Sequence, residues 1–81
     1  MKILLVDDEE QVLKGVERII SCEEDEWEIE TALSGESALE VLKADQFDVV
    51  VSDMRMPGMD GAQLLDEIGK QYPSMLRVVL S

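Results

Sequence analysis

The chain has 81 residues, with 19 acidic and 7 basic side chains, a net charge of −12, no histidine and one cysteine. That balance argues against direct contact with nucleic-acid backbones or anionic lipid. The missing imidazole removes His-based catalysis and most zinc sites, and Cys22 alone cannot close an internal disulfide. Hydrophobic residues make up 46% of the chain and aromatics only 4%, so one small domain with an aliphatic core is expected over 1–81. No run approaches the ~20 apolar residues of a membrane span, and Met1 to Val6 is too short for a secretory leader. A reducing cytoplasm is the expected location, with no membrane association.

Lys2 to Val6 is a short apolar run stopped by Asp7 and Asp8, which reads as a buried strand. Gln11 to Ser21 carries Val12, Leu13, Val16, Ile19 and Ile20 on one helical face. Gly15 inside it costs about 1 kcal/mol of helix propensity and suggests close packing on a sheet. The acidic cluster from Glu23 to Glu26 reads as a solvated loop. Trp27 to Ala32 alternates apolar and polar, as a half-exposed edge strand does. Ser34 is placed to cap a helix over Gly35 to Lys43. Phe47 to Ser52 holds three consecutive valines, the pattern of a central parallel strand covered on both faces. It ends at Asp53. After a loop containing Pro57 and Gly58, Asp60 and Gln63 have the spacing of a capping box at the start of a third helix. Leu64, Leu65 and Ile68 form its apolar stripe, and Pro73 forbids its extension. Met75 to Leu80 reads as a fourth strand, ending at Ser81.

The order strand, helix, strand, helix, strand, helix, strand predicts an α/β chain with an open parallel sheet. Ligands of such sheets lie beyond the carboxyl ends of the strands, where Asp7, Asp8, Asp53 and Ser81 fall. If the first and third strands are neighbours, three carboxylates meet in one crevice. They repel unless a cation joins them, and a hard divalent ion such as Mg²⁺ suits all-oxygen donors. Capping of the first helix would explain one acid, but not the pair together with a third acid on a neighbouring strand. Asp53 is then the candidate nucleophile for phosphorus. The Ser81 hydroxyl either donates to a phosphoryl oxygen or is an inconsequential terminal serine.

The segments LLVDDEE, VVVSDMRMPGMDG and RVVLS resemble the receiver domains of two-component response regulators, over the whole chain. Asp53, with Pro57 four residues on and Gly61 eight residues on, is the most specific part. The resemblance implies a flavodoxin-like fold and makes Asp53 the phosphoacceptor for a sensor histidine kinase. It implies Mg²⁺ held by Asp8 directly, Asp7 mainly through water, Asp53, and the backbone carbonyl of Arg55. It makes Ser81 the switch hydroxyl that contacts the phosphoryl group. The output would be conformational switching, with no enzymatic activity beyond the domain's own phosphorylation and dephosphorylation.

A complete receiver of that family has five strands and five helices, and the 81 residues reach the end of a fourth strand. From these residues the fourth helix, fifth strand, fifth helix and the Lys after strand five are expected to be absent, the alternative being that the chain is part of a longer regulator; neither Lys43 nor Lys70 lies where that Lys should be. Val78, Val79 and Leu80 would stand on an open edge, which invites self-association. Two other functions compete: a phosphorylation-independent interaction or dimerisation module, and an Asp-nucleophile phosphatase of the haloacid-dehalogenase type. The latter needs an acid two residues after the nucleophile, where this chain has Arg55.

Overall fold

The computed structural model describes residues 1–23, 26–56 and 58–79, with Glu23 described for its backbone only. Four strands and three helices alternate: β1 (Lys2–Val6), α1 (Glu10–Glu23), β2 (Glu28–Ala32), α2 (Gly35–Ala44), β3 (Val49–Ser52), α3 (Gly61–Gln71) and β4 (Leu76–Val79). They form one sheet in the order β2-β1-β3-β4, with every ladder parallel. The register Val6↔Ala32 and Val6↔Ser52 aligns the carboxyl ends of the three strands. The chain leaves β1 for one neighbour and returns past it to the other, so the strand order reverses at the β1/β3 junction. That reversal opens a crevice.

Alternation along the pleat assigns the two faces. Leu4, Val6, Val50 and Ala32 join Ala38, Leu42, Phe47, Met56, Leu64, Ile68 and Met75 in the larger cluster, under α2 and α3. Ile3, Leu5 and Val49 join Leu13 of α1 in the smaller cluster on the other face. β1 is buried on both faces, which is why its sequence reads as a continuous apolar run rather than an alternating one. Both proposed caps form. Ser34 accepts from the Ser37 N–H at 3.0 Å, and Asp60 and Gln63 make a reciprocal capping box at 2.9 and 3.2 Å. Tyr72 ends α3, its N–H donating to the Ile68 carbonyl at 2.7 Å, and Pro73 follows.

Three expectations need correction. The face of α1 is narrower than its apolar pattern suggests: Leu13 is buried, Val16 and Ile20 are half-buried, but Val12 is 40% and Ile19 65% exposed. They flank the stripe, and no described element covers that side. Gly15 does not pack closely on the sheet; a Cβ there would meet nothing within 4 Å. Trp27 precedes β2 and is 37% exposed, while Phe47 and Asp48 precede β3. The Asp48 carboxylate accepts from the Lys2 N–H at 2.8 Å, tying off the amino end of the sheet. The expected end of β4 at Leu80, and Ser81, lie outside the described residues, as does Pro57.

Candidate phosphoacceptor site

The ladder itself brings the acids together. The Asp7 N–H donates to the Ala32 carbonyl at 3.1 Å, and the Asp53 N–H donates to the Val6 carbonyl at 3.0 Å. These bonds carry the sheet one residue beyond β1 and β3, so both side chains leave at the same level of the crevice. Carboxylate oxygens of Asp7, Asp8 and Asp53 all lie within 4.8 Å of one another. Asp7 is buried at 5% exposure, Asp53 is half-buried and Asp8 is exposed. The trio therefore grades from interior to solvent.

Local hydrogen bonds orient two of them. Asp7 Oδ1 accepts from the Glu9 N–H at 2.9 Å, a tight turn into α1. Asp53 Oδ1 accepts from the Arg55 N–H at 3.4 Å. Burial pushes the Asp7 carboxyl above its ordinary value. The Glu9 N–H works against that, and the neighbouring Asp53 and Asp8 add to the rise. Among the described residues no Lys or Arg forms an ion pair with any of the three. An all-oxygen donor set, partly desolvated and open to water on one side, suits a hard divalent cation that keeps some of its waters.

Arg55 is exposed, and its backbone belongs to the loop leaving β3. Two neighbours of Asp53 had no physical role in the sequence, although Gly61 belonged to the motif that carries the resemblance. Ser52 is fully buried at the end of β3, its hydroxyl donating to the Asp53 carbonyl at 2.9 Å. A polar residue ending a valine run was the signal for it. Gly61 begins α3 against the Asp53–Met54 peptide. Its N–H donates to the Met54 carbonyl at 3.0 Å, and a Cβ there would lie 2.7 Å from Met54 Cα and closer still to the Asp53 carbonyl oxygen. Only a glycine lets the helix start there.

The family model for the response regulator receiver domain matches residues 3–81. The chain belongs to that family. Receivers are the signalling modules of two-component systems. Curated relatives include a transcriptional regulatory protein, YesN, of Bacillus subtilis, 40% identical over 99% of this chain and 22% of the relative. Another is the transcriptional regulatory protein GlrR of Escherichia coli, 40% identical over 98% of this chain and 17% of the relative. The chain thus spans about a fifth of the length of these relatives. Among solved structures, the response regulator TrrA of Thermotoga maritima, in complex with Mg²⁺-BeF, is 32% identical with a TM-score of 0.90. The match covers 96% of this chain and 66% of that one. The complex of the histidine kinase ThkA with TrrA matches at 32% identity and a TM-score of 0.90, over 99% of this chain and 67% of that one. No helix among the described residues is long and apolar enough to cross a membrane.

Proposed function

We propose that this receiver accepts a phosphoryl group on Asp53 from the phosphohistidine of a sensor histidine kinase. What carries the reading is the convergence of the Asp7, Asp8 and Asp53 carboxylates within 4.8 Å at the β1/β3 crevice. One solved relative, TrrA, bound to Mg²⁺-BeF in one structure and to a histidine kinase in another, supports it. An Asp53 carboxylate oxygen attacks phosphorus, the P–N bond to the imidazole breaks, and the electron pair leaves on the imidazole nitrogen, which takes up a proton. The Arg55 N–H holds the Asp53 carboxylate in place for the attack. Asp8, Asp7 (through water), Asp53 and the Arg55 backbone carbonyl are the residues that would hold Mg²⁺. The ion, when bound, neutralises charge on the transferring phosphoryl oxygens. The Ser81 hydroxyl would donate to one of those oxygens. Signalling would follow from a shift between two conformations, in the cytoplasm.

A second reading has its own observation. β4 pairs only with β3 among the described residues, and its Leu76, Val78 and Val79 are 61%, 37% and 43% exposed. Such an edge favours addition of another strand, so self-association of the 81-residue chain, without phosphorylation, is the competing function.

Intact-protein mass after incubation with a small phosphoryl donor separates the two. Gain of one phosphoryl group with Mg²⁺, lost on chelation and in Asp53→Asn, is the expected result. A folded sample that gains nothing, and whose mass in light scattering rises with concentration, would favour the assembly reading.

A further inference from the structure

The loop leaving β3 is held by two glycines on two helices. At its near end, Gly61 of α3 sits on the Asp53–Met54 peptide. On its outer side, Met59 is half-buried against Gly35, the first residue of α2. A Cβ on Gly35 would stand 3.0 Å from Met59 Cγ and Sδ and 3.1 Å from Met59 Cβ. Contact at Cβ matters because the side chain cannot swing clear by changing its outer torsions. One residue back, Gly58 adopts φ +75° with the Glu36 carboxylate 3.3 Å from where its Cβ would be. The first turn of α2 therefore bears on the loop at two successive residues. Gly15 of α1, with open space around it, shows that a helical glycine in this chain is not always a packing device.

The path from this contact to Asp53 is short. Met59 precedes the capping box of Asp60, which sets the start of α3 at Gly61. Gly61 is bonded to Met54, and the Asp53 carboxylate is oriented by the next N–H but one, that of Arg55. We infer that Met59, seated on Gly35, is a positioning residue: α2's first turn, acting through it, sets the placement of the Asp53 carboxylate. This deepens the proposed phosphoacceptor reading and rests on it. A displacement of a few tenths of an ångström at Met59 would be felt at the crevice, since a misplacement of about 1 Å costs on the order of 10²-fold in a reaction.

The test is a bump and its relief: Gly35→Ala, Met59→Ala and the double variant, with Gly15→Ala as a control. Backbone amide NMR and Mg²⁺ titration are read on each, beside phosphoryl incorporation by mass. Gly35→Ala is expected to shift the Asp53, Arg55 and Gly61 amides and to weaken Mg²⁺ binding and slow incorporation by about tenfold. Adding Met59→Ala removes the contacts at Cγ and Sδ, leaves the one at Cβ, and is expected to restore all three in part, and Gly15→Ala to leave them unchanged. Unmoved amides and affinity in Gly35→Ala, or effects that Met59→Ala fails to relieve, overturn the inference. If Gly35→Ala does not fold, Met59→Ala alone decides: faster hydrogen exchange at the Gly61 amide supports the clamp, and unchanged exchange rejects it. A parent protein that takes up no phosphoryl group sinks the acceptor reading, and the amide shifts still judge the clamp.

Discussion

The two ends of β1 both gather acids, but only one end supplies a cation. At the amino end the Lys2 ammonium pairs with Asp45, lies 3.8 Å from Glu28 and sits 5.2 Å from the centre of the Phe47 ring, while the Lys2 N–H binds the Asp48 carboxylate. At the carboxyl end Asp7, Asp8 and Asp53 converge with backbone N–H donors alone. One end is closed by its own side chains and contributes to stability. The other leaves like charges together at a cost to the fold, and that imbalance is what a cation can relieve. The difference marks the first as a structural cluster and supports the proposed cation-binding reading of the second without reference to any relative.

The largest effect is expected from disturbing the backbone that holds the carboxyl-end acids. Gly61→Ala forces a methyl into the Asp53–Met54 peptide, and backbone cannot yield as a side chain does. A loss of about 3 kcal/mol is expected, at the upper end for overpacking, read from urea unfolding. A loss below about 1 kcal/mol would mean that α3 does not fix the position of Asp53. Next in size is the cation itself. Mg²⁺ at about 100 times its Kd should stabilise the chain by roughly 2.7 kcal/mol, reversed by chelation and lost in Asp53→Ala. Equal stabilisation of that variant would put the ion elsewhere among the chain's many acids.

How far the sequence foretold these two ends depends on the kind of signal. The three valines of β3 and the continuous apolar run of β1 read correctly because both strands are covered on both faces. The capping box at Asp60 and Gln63 and the cap at Ser34 were legible because they are local. The neighbourhood of β1 and β3, and so the carboxylate trio, stood only as a condition in the sequence, because chain order does not fix sheet order; the order β2-β1-β3-β4 met it. The face of α1 was misread because periodicity reports which residues share a side, not how much of that side is covered. Val12 and Ile19 share a side with Leu13 and stay exposed. The Lys2 cluster was invisible for a different reason. Lys2 and Asp45 lie 43 residues apart and meet only when α2 returns the chain to the amino end of the sheet. Gly35 read as an ordinary helix-start residue, and Gly61 as a motif member with no physical role, until the packing against Met59 and the Asp53–Met54 peptide was known.

Asp7→Asn relieves the carboxyl end without changing its shape, since Asn Oδ1 can still accept from the Glu9 N–H. Without Mg²⁺ the variant should be more stable at neutral pH by about 1 kcal/mol, and Mg²⁺ should stabilise it less than the parent. The pH dependence has a definite sign. Burial raises the folded-state carboxyl of Asp7 above its unfolded value. The folded chain therefore binds the proton more readily, and this part of the stability is full below the unfolded value. It is lost as pH rises through the folded one. Metal-free unfolding of parent and variant across that window should diverge upward in pH. Parallel curves would show that Asp7 is not destabilised by its surroundings.

Lys2→Met carries the smallest effect and tests the opposite end. The hydrogen bond from Lys2 lowers the Asp45 carboxyl below its ordinary value, helped by the Gln46 N–H. Stability from this group is present above the unfolded value and is lost as pH falls through the folded one, the reverse of Asp7. The side chain of Asp45 is 53% exposed, so water and salt screen the pair and the fall in Tm should be slight at high ionic strength. Methionine keeps contact with the Phe47 ring while removing the charge, so packing is held nearly constant. The variant should lose stability at neutral pH and low salt, and its acid-side slope should be shallower than the parent's. Mg²⁺ affinity and phosphoryl uptake should not change, because Lys2 lies at the far end of β1. If Lys2→Met altered Mg²⁺ binding, the two ends would be coupled through β1, and the division between a closing cluster and a binding cluster would fail.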